Sequence, residues 1–287
     1  MSRFFDKLRA NAIPTASDWE AHLIGAHKIA PQMTPMAFAN YRNHEALNSY
    51  QILARVALLN TFNDCLDLGC GDGHFLNYLL PKLQQGSHYV GVDMGPTELA
   101  IAQKTFNDTR LRFILARAQE LPLENNSIDL VVSHMVIMLM DDLDSLAQEL
   151  GRILRKNGRF VAVYGAPAIE SPKWQFIRKI AFDIIERELP LVRSLHTGDS
   201  RIYSREGLEE VFLGQGRFTK VEANEGFTIR VPNTIEDIWS MLKDMYLIGA
   251  LPVKVKLEIQ KAVEAGLQSI LPEPFVEYPM RLVSFVT

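Results

Sequence analysis

The sequence predicts an α/β protein built on a doubly wound, mostly parallel sheet. Three observations lead there. The short apolar run Cys65-Leu66-Asp67-Leu68 reads as a buried strand and passes straight into Gly69, Gly71 and Gly73 at alternate positions. Alternate glycines let the backbone turn sharply after a strand and let a ligand approach the bare main chain. Next, Tyr89-Val90-Gly91-Val92-Asp93 reads as a second strand ending in a carboxylate. An acid about 20 residues past such a turn is where a doubly wound sheet holds the hydroxyl pair of a ribose. Finally, strand and helix patterns alternate from residue 64 to residue 165, the rhythm of a parallel sheet covered on both faces. Such sheets bind ligands beyond the carboxyl ends of their strands. Together these features predict a nucleoside site.

The glycine spacing narrows the ligand. A dinucleotide fingerprint has glycine at its first, third and sixth positions. Gly69 and Gly71 fit the first two, but His74 stands at the sixth. A P-loop closes on Gly-Lys-Ser or Gly-Lys-Thr, and no such ending follows. Taken alone, the glycines also suit an ordinary strand-to-helix turn.

The remaining elements follow along the chain. Residues 1–42 are mixed, and Pro14, Pro31 and Pro35 interrupt any long helix. The spacing predicts a helix over 43–59, with Leu47, Tyr50, Ala54, Ala57 and Leu58 on one face and Asn43 as its cap. Strands three, four and five are expected at 110–115, 130–133 and 159–164. Residues 166–199 leave this rhythm. Ser171-Pro172 is a sound helix start, and Trp174, Ile177, Ala181 and Ile184 share a face that Phe176 and Ile180 widen. That face either lines a substrate cavity or packs onto the sheet. A helix is expected over 203–212, then a strand over 218–231, single or turned near Asn224. Residues 232–249 predict a helix capped by Thr234, with Ile235, Ile238, Trp239 and Leu242 on one face. Residues 253–270 predict another, broken by Pro272 and Pro274, and 280–286 a closing strand.

Composition bounds the function. The chain has 287 residues, 47% hydrophobic and 22% charged, ordinary globular values that leave room for one large domain or a domain with a cap. A formal net charge of -4 argues against nucleic acid as the partner, which calls for a basic excess. The two cysteines, Cys65 and Cys70, both fall in the glycine motif. A disulfide there would distort the turn, so free thiols and a reducing compartment are expected. Their spacing is not that of a zinc pair, and no metal is expected. No apolar run approaches about 18 residues, so no membrane span is expected. The start Met1-Ser2-Arg3-Phe4-Phe5-Asp6-Lys7 lacks a signal region. The expectation is a soluble cytoplasmic protein. The sequence specifies no oligomeric state.

The glycine run resembles motif I of the class I S-adenosylmethionine-dependent methyltransferases. Ala116-Arg117-Ala118-Gln119-Glu120-Leu121-Pro122-Leu123, followed by Asn126 to Ser133, resembles the family's loop under the adenine and its fourth strand. Residues 147–160 resemble its helix and glycine turn before strand five. The likeness is nearest to the small-molecule group that includes quinone and biotin-pathway methyltransferases. It implies a Rossmann-like, seven-stranded sheet whose last strand runs antiparallel, with helical cap insertions. The chain then divides into an N-terminal helical segment over the cleft (1–60), a cofactor-binding core (61–165), a cap (166–201), a return to the core (202–231), a second cap (232–279) and a final strand (280–287).

The resemblance also implies a site. The backbone at Gly69, Cys70, Gly71 and Gly73 would face the amino-acid end of S-adenosyl-L-methionine, and a side chain at Gly71 would intrude on it. Asp67 matches an acid that orients the turn and the ligand's ammonium group. Asp93, followed by Met94, matches the acid that accepts both ribose hydroxyls, since one carboxylate offers acceptors to two neighbouring donors. The amide of Ala118 would face an adenine ring nitrogen. The preceding position usually carries an acid for the adenine amino group. Here it is Arg117, which has donors only, so Gln119 supplies that contact or Arg117 stacks on the base. Ser133 closes strand four beside the cofactor. His134 is the candidate general base, because histidine can hold a proton near neutral pH. The implied reaction is an in-line methyl transfer to a small-molecule acceptor, which needs alignment and exclusion of water more than acid catalysis. A protein or carrier-bound acyl acceptor, or a non-enzymatic nucleoside-binding module, are the alternatives.

Overall fold

A computed structural model describes residues 2–195, 197–214, 216–270 and 273–287. Seven strands form one sheet: β1 (Asp64–Leu68), β2 (His88–Asp93), β3 (Leu111–Leu115), β4 (Ile128–His134), β5 (Leu154–Gly165), β6 (Lys220–Pro232) and β7 (Phe275–Val286). Their order is β3-β2-β1-β4-β5-β7-β6. The pairs β1–β2, β1–β4, β2–β3 and β4–β5 are parallel, and β7 runs antiparallel to β5. The order reverses between β1 and β4, the switch point at whose carboxyl edge a crevice opens.

By residue contacts the chain divides into two compact units. One holds Ser49–Ala166, Thr197–Phe227 and Met280–Thr287, with the parallel strands. Its core packs Leu66, Leu68, Val131, Phe160, Phe212 and Phe285, all buried, and the Phe212 and Phe285 rings stack 4.3 Å apart. At the amino ends of β1 and β4, Arg155 donates to Asp64 and Asp129, both at 2.8 Å. This pins the two strands in register.

The other unit holds Met1–Asn48, Pro167–His196 and Thr228–Pro279. It is helical, with Ala16–Ile29, Pro172–Glu188 and Val253–Gln268 as its longest elements. Thr15 and Asp18 form a reciprocal capping box at the first of these. Ser171 caps the second by accepting from the Trp174 amide. Trp174, Ile177, Ala181 and Ile184 are buried, but Phe176 stays 38% exposed. The face is therefore narrower than its sequence suggests. A Cβ on Gly266 would lie 2.4 Å from Ile180 Cδ1, so the bare glycine lets the second and third helices close on each other.

Several elements differ from the sequence reading. The helix expected over 43–59 is Ser49–Ala57. The Asn43 side chain instead accepts from the amides of Glu45 and Leu47, both at 2.9 Å, and Ala46 sits at φ 62. This side-chain turn outcompetes the helix. The glycine turn expected before strand five falls inside β5, where the left-handed residue is Asn157, φ 64, rather than Gly158. Residues 220–232 form one unbroken strand with no turn at Asn224. The helix predicted over 232–249 breaks into Ile235–Leu242 and Tyr246–Gly249, although Thr234 does cap it. Pro272 lies outside the described residues. No described helix is long and apolar enough to cross a membrane.

Candidate functional site

The site is built at the carboxyl ends of β1, β2 and β4. After Leu68 the chain leaves β1 through three left-handed glycines: Gly69 at φ 72, Gly71 at φ 53 and Gly73 at φ 79. The amides of Gly69 and Cys70 both donate to Val92 O, at 2.7 and 3.0 Å, so the turn stays tied to β2. Two of the glycines have different reasons to be glycine. A Cβ on Gly69 would strike Val136 Cγ2 at 2.4 Å, whereas a Cβ on Gly71 would meet nothing within 4 Å. The first is a packing requirement. The second leaves open space beside bare backbone, the cradle a ligand needs.

Asp93 closes β2 against that cradle. Its Oδ2 accepts from the Gly71 amide and its Oδ1 from the Gly95 amide, both at 2.8 Å. A carboxylate oriented in this way presents two acceptor oxygens side by side, the chemistry that a pair of neighbouring hydroxyls needs. Met94, next along, is half-buried. The fit to a ribose is thus good.

Asp67 lies inside the sheet, 2% exposed, and accepts 2.7 Å from the Tyr89 hydroxyl. Burial pushes its carboxyl up to about 7, against the lowering effect of that hydrogen bond. Nothing in the sequence motif names Tyr89 as its partner. The signal is period two: Tyr89 and Gly91 share a face of β2, and Gly91 pairs with Asp67. Gly91 also makes room for the turn, since a Cβ there would lie 2.8 Å from Cys70 Sγ. Cys65 and Cys70 are free and buried. Among the described residues no group of three His, Cys, Asp or Glu side chains is placed to hold a metal ion.

The loop after β3 carries Arg117, Ala118 and Gln119. Arg117 is exposed, while Ala118 and Gln119 are half-buried. The loop is held from below. Glu149 accepts from the Leu121 amide at 2.6 Å, and Arg152 donates to Leu121 O and Leu123 O at 3.0 and 2.7 Å. Both side chains come from the helix Leu143–Ile153, so this landmark helix also shapes the loop.

At the end of β4, the Ser133 hydroxyl donates to Leu68 O at 3.0 Å and binds β4 to β1. His134 is the last residue of β4 and is 6% exposed. Its Nε2 lies 2.8 Å from Ser49 Oγ, and its ring stacks on Tyr50 at 3.7 Å. Burial pushes the imidazole down to about 3. The next residue, Met135, turns at φ 60 and brings Val136 against Gly69. Ser49 and Tyr89 carry no site signal in the sequence, whereas Tyr50 stands in the segment expected to cover the cleft and His74 stands where a dinucleotide site has glycine.

Residues 66–162 match a family model described as a methyltransferase domain. Among curated relatives, the fatty-acid O-methyltransferase of Mycolicibacterium smegmatis is 24% identical over 151 residues, 53% of this chain and 54% of that protein. The sterol 4-C-methyltransferase strm-1 of Caenorhabditis elegans is 27% identical over 132 residues, 44% of this chain and 39% of that protein. The malonyl-[acyl-carrier protein] O-methyltransferase of Methylovorus sp. is 34% identical over 100 residues, 32% of this chain and 33% of that protein. The chain spans about half or less of the length of these relatives. Among solved structures, the YcgJ protein of Bacillus subtilis superposes with a TM-score of 0.54 at 17% identity, covering 83% of this chain and 97% of that one. A phosphoethanolamine N-methyltransferase 2 of Haemonchus contortus gives 0.51 at 21% identity, covering 82% and 51%. At these identities the likeness to the two structures is one of fold.

Proposed function

We propose that this chain, whose core is a class I S-adenosylmethionine-dependent methyltransferase domain, transfers a methyl group from S-adenosylmethionine to a small organic acceptor by in-line displacement. One observation carries the reading: the Asp93 carboxylate is oriented by the amides of Gly71 and Gly95 beside a glycine whose Cβ direction is open. When bound, S-adenosylmethionine supplies an electrophilic methyl on a sulfonium whose charge vanishes on transfer. Asp93 accepts the ribose hydroxyls, with Met94 alongside. The amide of Ala118 and the side chain of Gln119 meet the adenine edge. The buried end of β4, with Ser133 and His134, excludes water from the reacting groups.

His134 bears on the acceptor. An imidazole held down at about 3 stays neutral and takes a proton from a weak acid poorly. This favours an acceptor that is nucleophilic without losing a proton to the enzyme, such as an organic carboxylate. His134 then positions and shields rather than acting as the base its sequence position suggests.

Calorimetric titration with S-adenosylmethionine tests the first part. Wild type should bind, and Asp93→Ala should bind at least about tenfold more weakly, from loss of charge-assisted hydrogen bonds. No binding by wild type, or equal binding by both, would sink it. For the second part, release of S-adenosylhomocysteine should be faster with small carboxylic acids than with matched alcohols at neutral pH. The reverse order would reject the carboxylate reading.

A further inference from the structure

We propose that His74, with Tyr50 against it, holds the carboxylate at the amino-acid end of S-adenosylmethionine. The inference rests on the cofactor reading above and deepens it.

The starting point is a buried polar atom. His74 follows the third glycine directly, and its Nε2 is buried with no hydrogen bond among the described residues. Leaving such an atom without a partner costs about 1–3 kcal/mol, so it calls for a reason. The ring is not loose. Its backbone amide donates to Asp72 Oδ1 at 3.1 Å, and its centroid lies 4.8 Å from Tyr50 and 5.8 Å from Tyr78. Tyr50 in turn stacks on Tyr78 and on His134. The four rings form one wall at the carboxyl ends of β1 and β4.

The geometry then points to one part of the cofactor. Asp93 takes the ribose at the end of β2. In the sheet β1 lies between β2 and β4, so a ligand lying across the edge from Asp93 crosses the open face of Gly71 toward the ring wall. The part that arrives there is the amino-acid end, a carboxylate and an ammonium. The run Leu66–Leu80 contains no lysine or arginine. Within this run and beside it the donors on offer are neutral: turn amides, an imidazole N–H and a phenol O–H. Burial, then the fields of Asp72 and Asp67, keep the Tyr50 hydroxyl protonated, hence a donor. Of these acids, Asp72 suits the ammonium.

Paired ligands test this. S-adenosylhomocysteine carries the amino-acid end, and 5′-methylthioadenosine keeps the nucleoside and sulfur but lacks it. His74→Phe keeps a ring and removes both nitrogens. It should weaken S-adenosylhomocysteine about tenfold and leave methylthioadenosine unchanged. His74→Gln, which can present an amide N–H near the same place, should recover most of the loss. Tyr50→Phe should show the same selectivity with a smaller drop. Equal losses on both ligands, or an unchanged affinity for S-adenosylhomocysteine in His74→Phe, overturn the proposal. Wild-type protein that binds neither ligand defeats the cofactor reading itself.

Discussion

The strand ends around the glycine turn and the helical unit around Trp19 satisfy their polar groups in opposite ways. At the strand ends the donors that orient the key acid are backbone amides of two turns: Gly71 and Gly95 both donate to Asp93. In the helical unit it is side chains that reach out, to partners that lie across most of the chain. His22 Nε2 lies 2.9 Å from Tyr246 O, His27 Nε2 lies 2.9 Å from the Tyr246 hydroxyl, and the Tyr41 hydroxyl donates to Asp237 at 3.2 Å. Rings fill the space between, with His22 stacked on Phe4 at 5.0 Å. A backbone-built site is sensitive to any added Cβ. A side-chain-built unit is sensitive to truncation, and no single contact dominates it.

The largest effect expected from this contrast is at the glycines. Gly69→Ala places a methyl 2.4 Å from Val136 Cγ2 at φ 72, and should cost about 3 kcal/mol by summing left-handed strain and overpacking. Gly71→Ala has the strain without the clash. It should cost about 1 kcal/mol in thermal unfolding while abolishing most of the affinity for S-adenosylmethionine. If both substitutions destabilise equally and bind equally, the two glycines do not have separate jobs.

Next in size is Asp67. Its carboxyl is raised from the ordinary 3.8 to about 7. Between those values the folded chain keeps a proton that the unfolded chain has released, so stability falls as pH rises through that window and levels off above it. Asp67→Asn keeps an acceptor for Tyr89 and removes the charge. It should be more stable than wild type by on the order of 2 kcal/mol at about pH 8 and no more stable at about pH 4, by urea unfolding. A pH-independent difference would show that Asp67 is not held this way.

The smallest effect belongs to the helical unit. Tyr41→Phe loses the hydroxyl's bonds to Asp237 and Ser240 and should cost about 0.5–1 kcal/mol, with cofactor affinity intact. A loss several times larger would mean that one contact governs that unit after all.

Much of the fold was legible in order along the chain. β1, β2, β3 and β4 announce themselves as short apolar runs, and the caps Ser171 and Thr234 act as their residue types suggest. Asp93 and the glycines stand out because their roles need particular residue types at particular spacings. The misreadings share a cause. Residues 43–48 have helical spacing, yet Asn43 closes its own turn. The partners of Ser49, Tyr50 and His74 have no local pattern, because other elements of the fold bring them together.

The sequence alone therefore determined the turn and its acid, because φ freedom, strand period and carboxylate chemistry are properties of residues and their neighbours. Tertiary structure decided which carboxyl keeps its proton, which imidazole stays neutral and which rings wall the site. Those depend on burial and on partners brought from distant parts of the chain, and desolvation acts only once the chain has closed around a group.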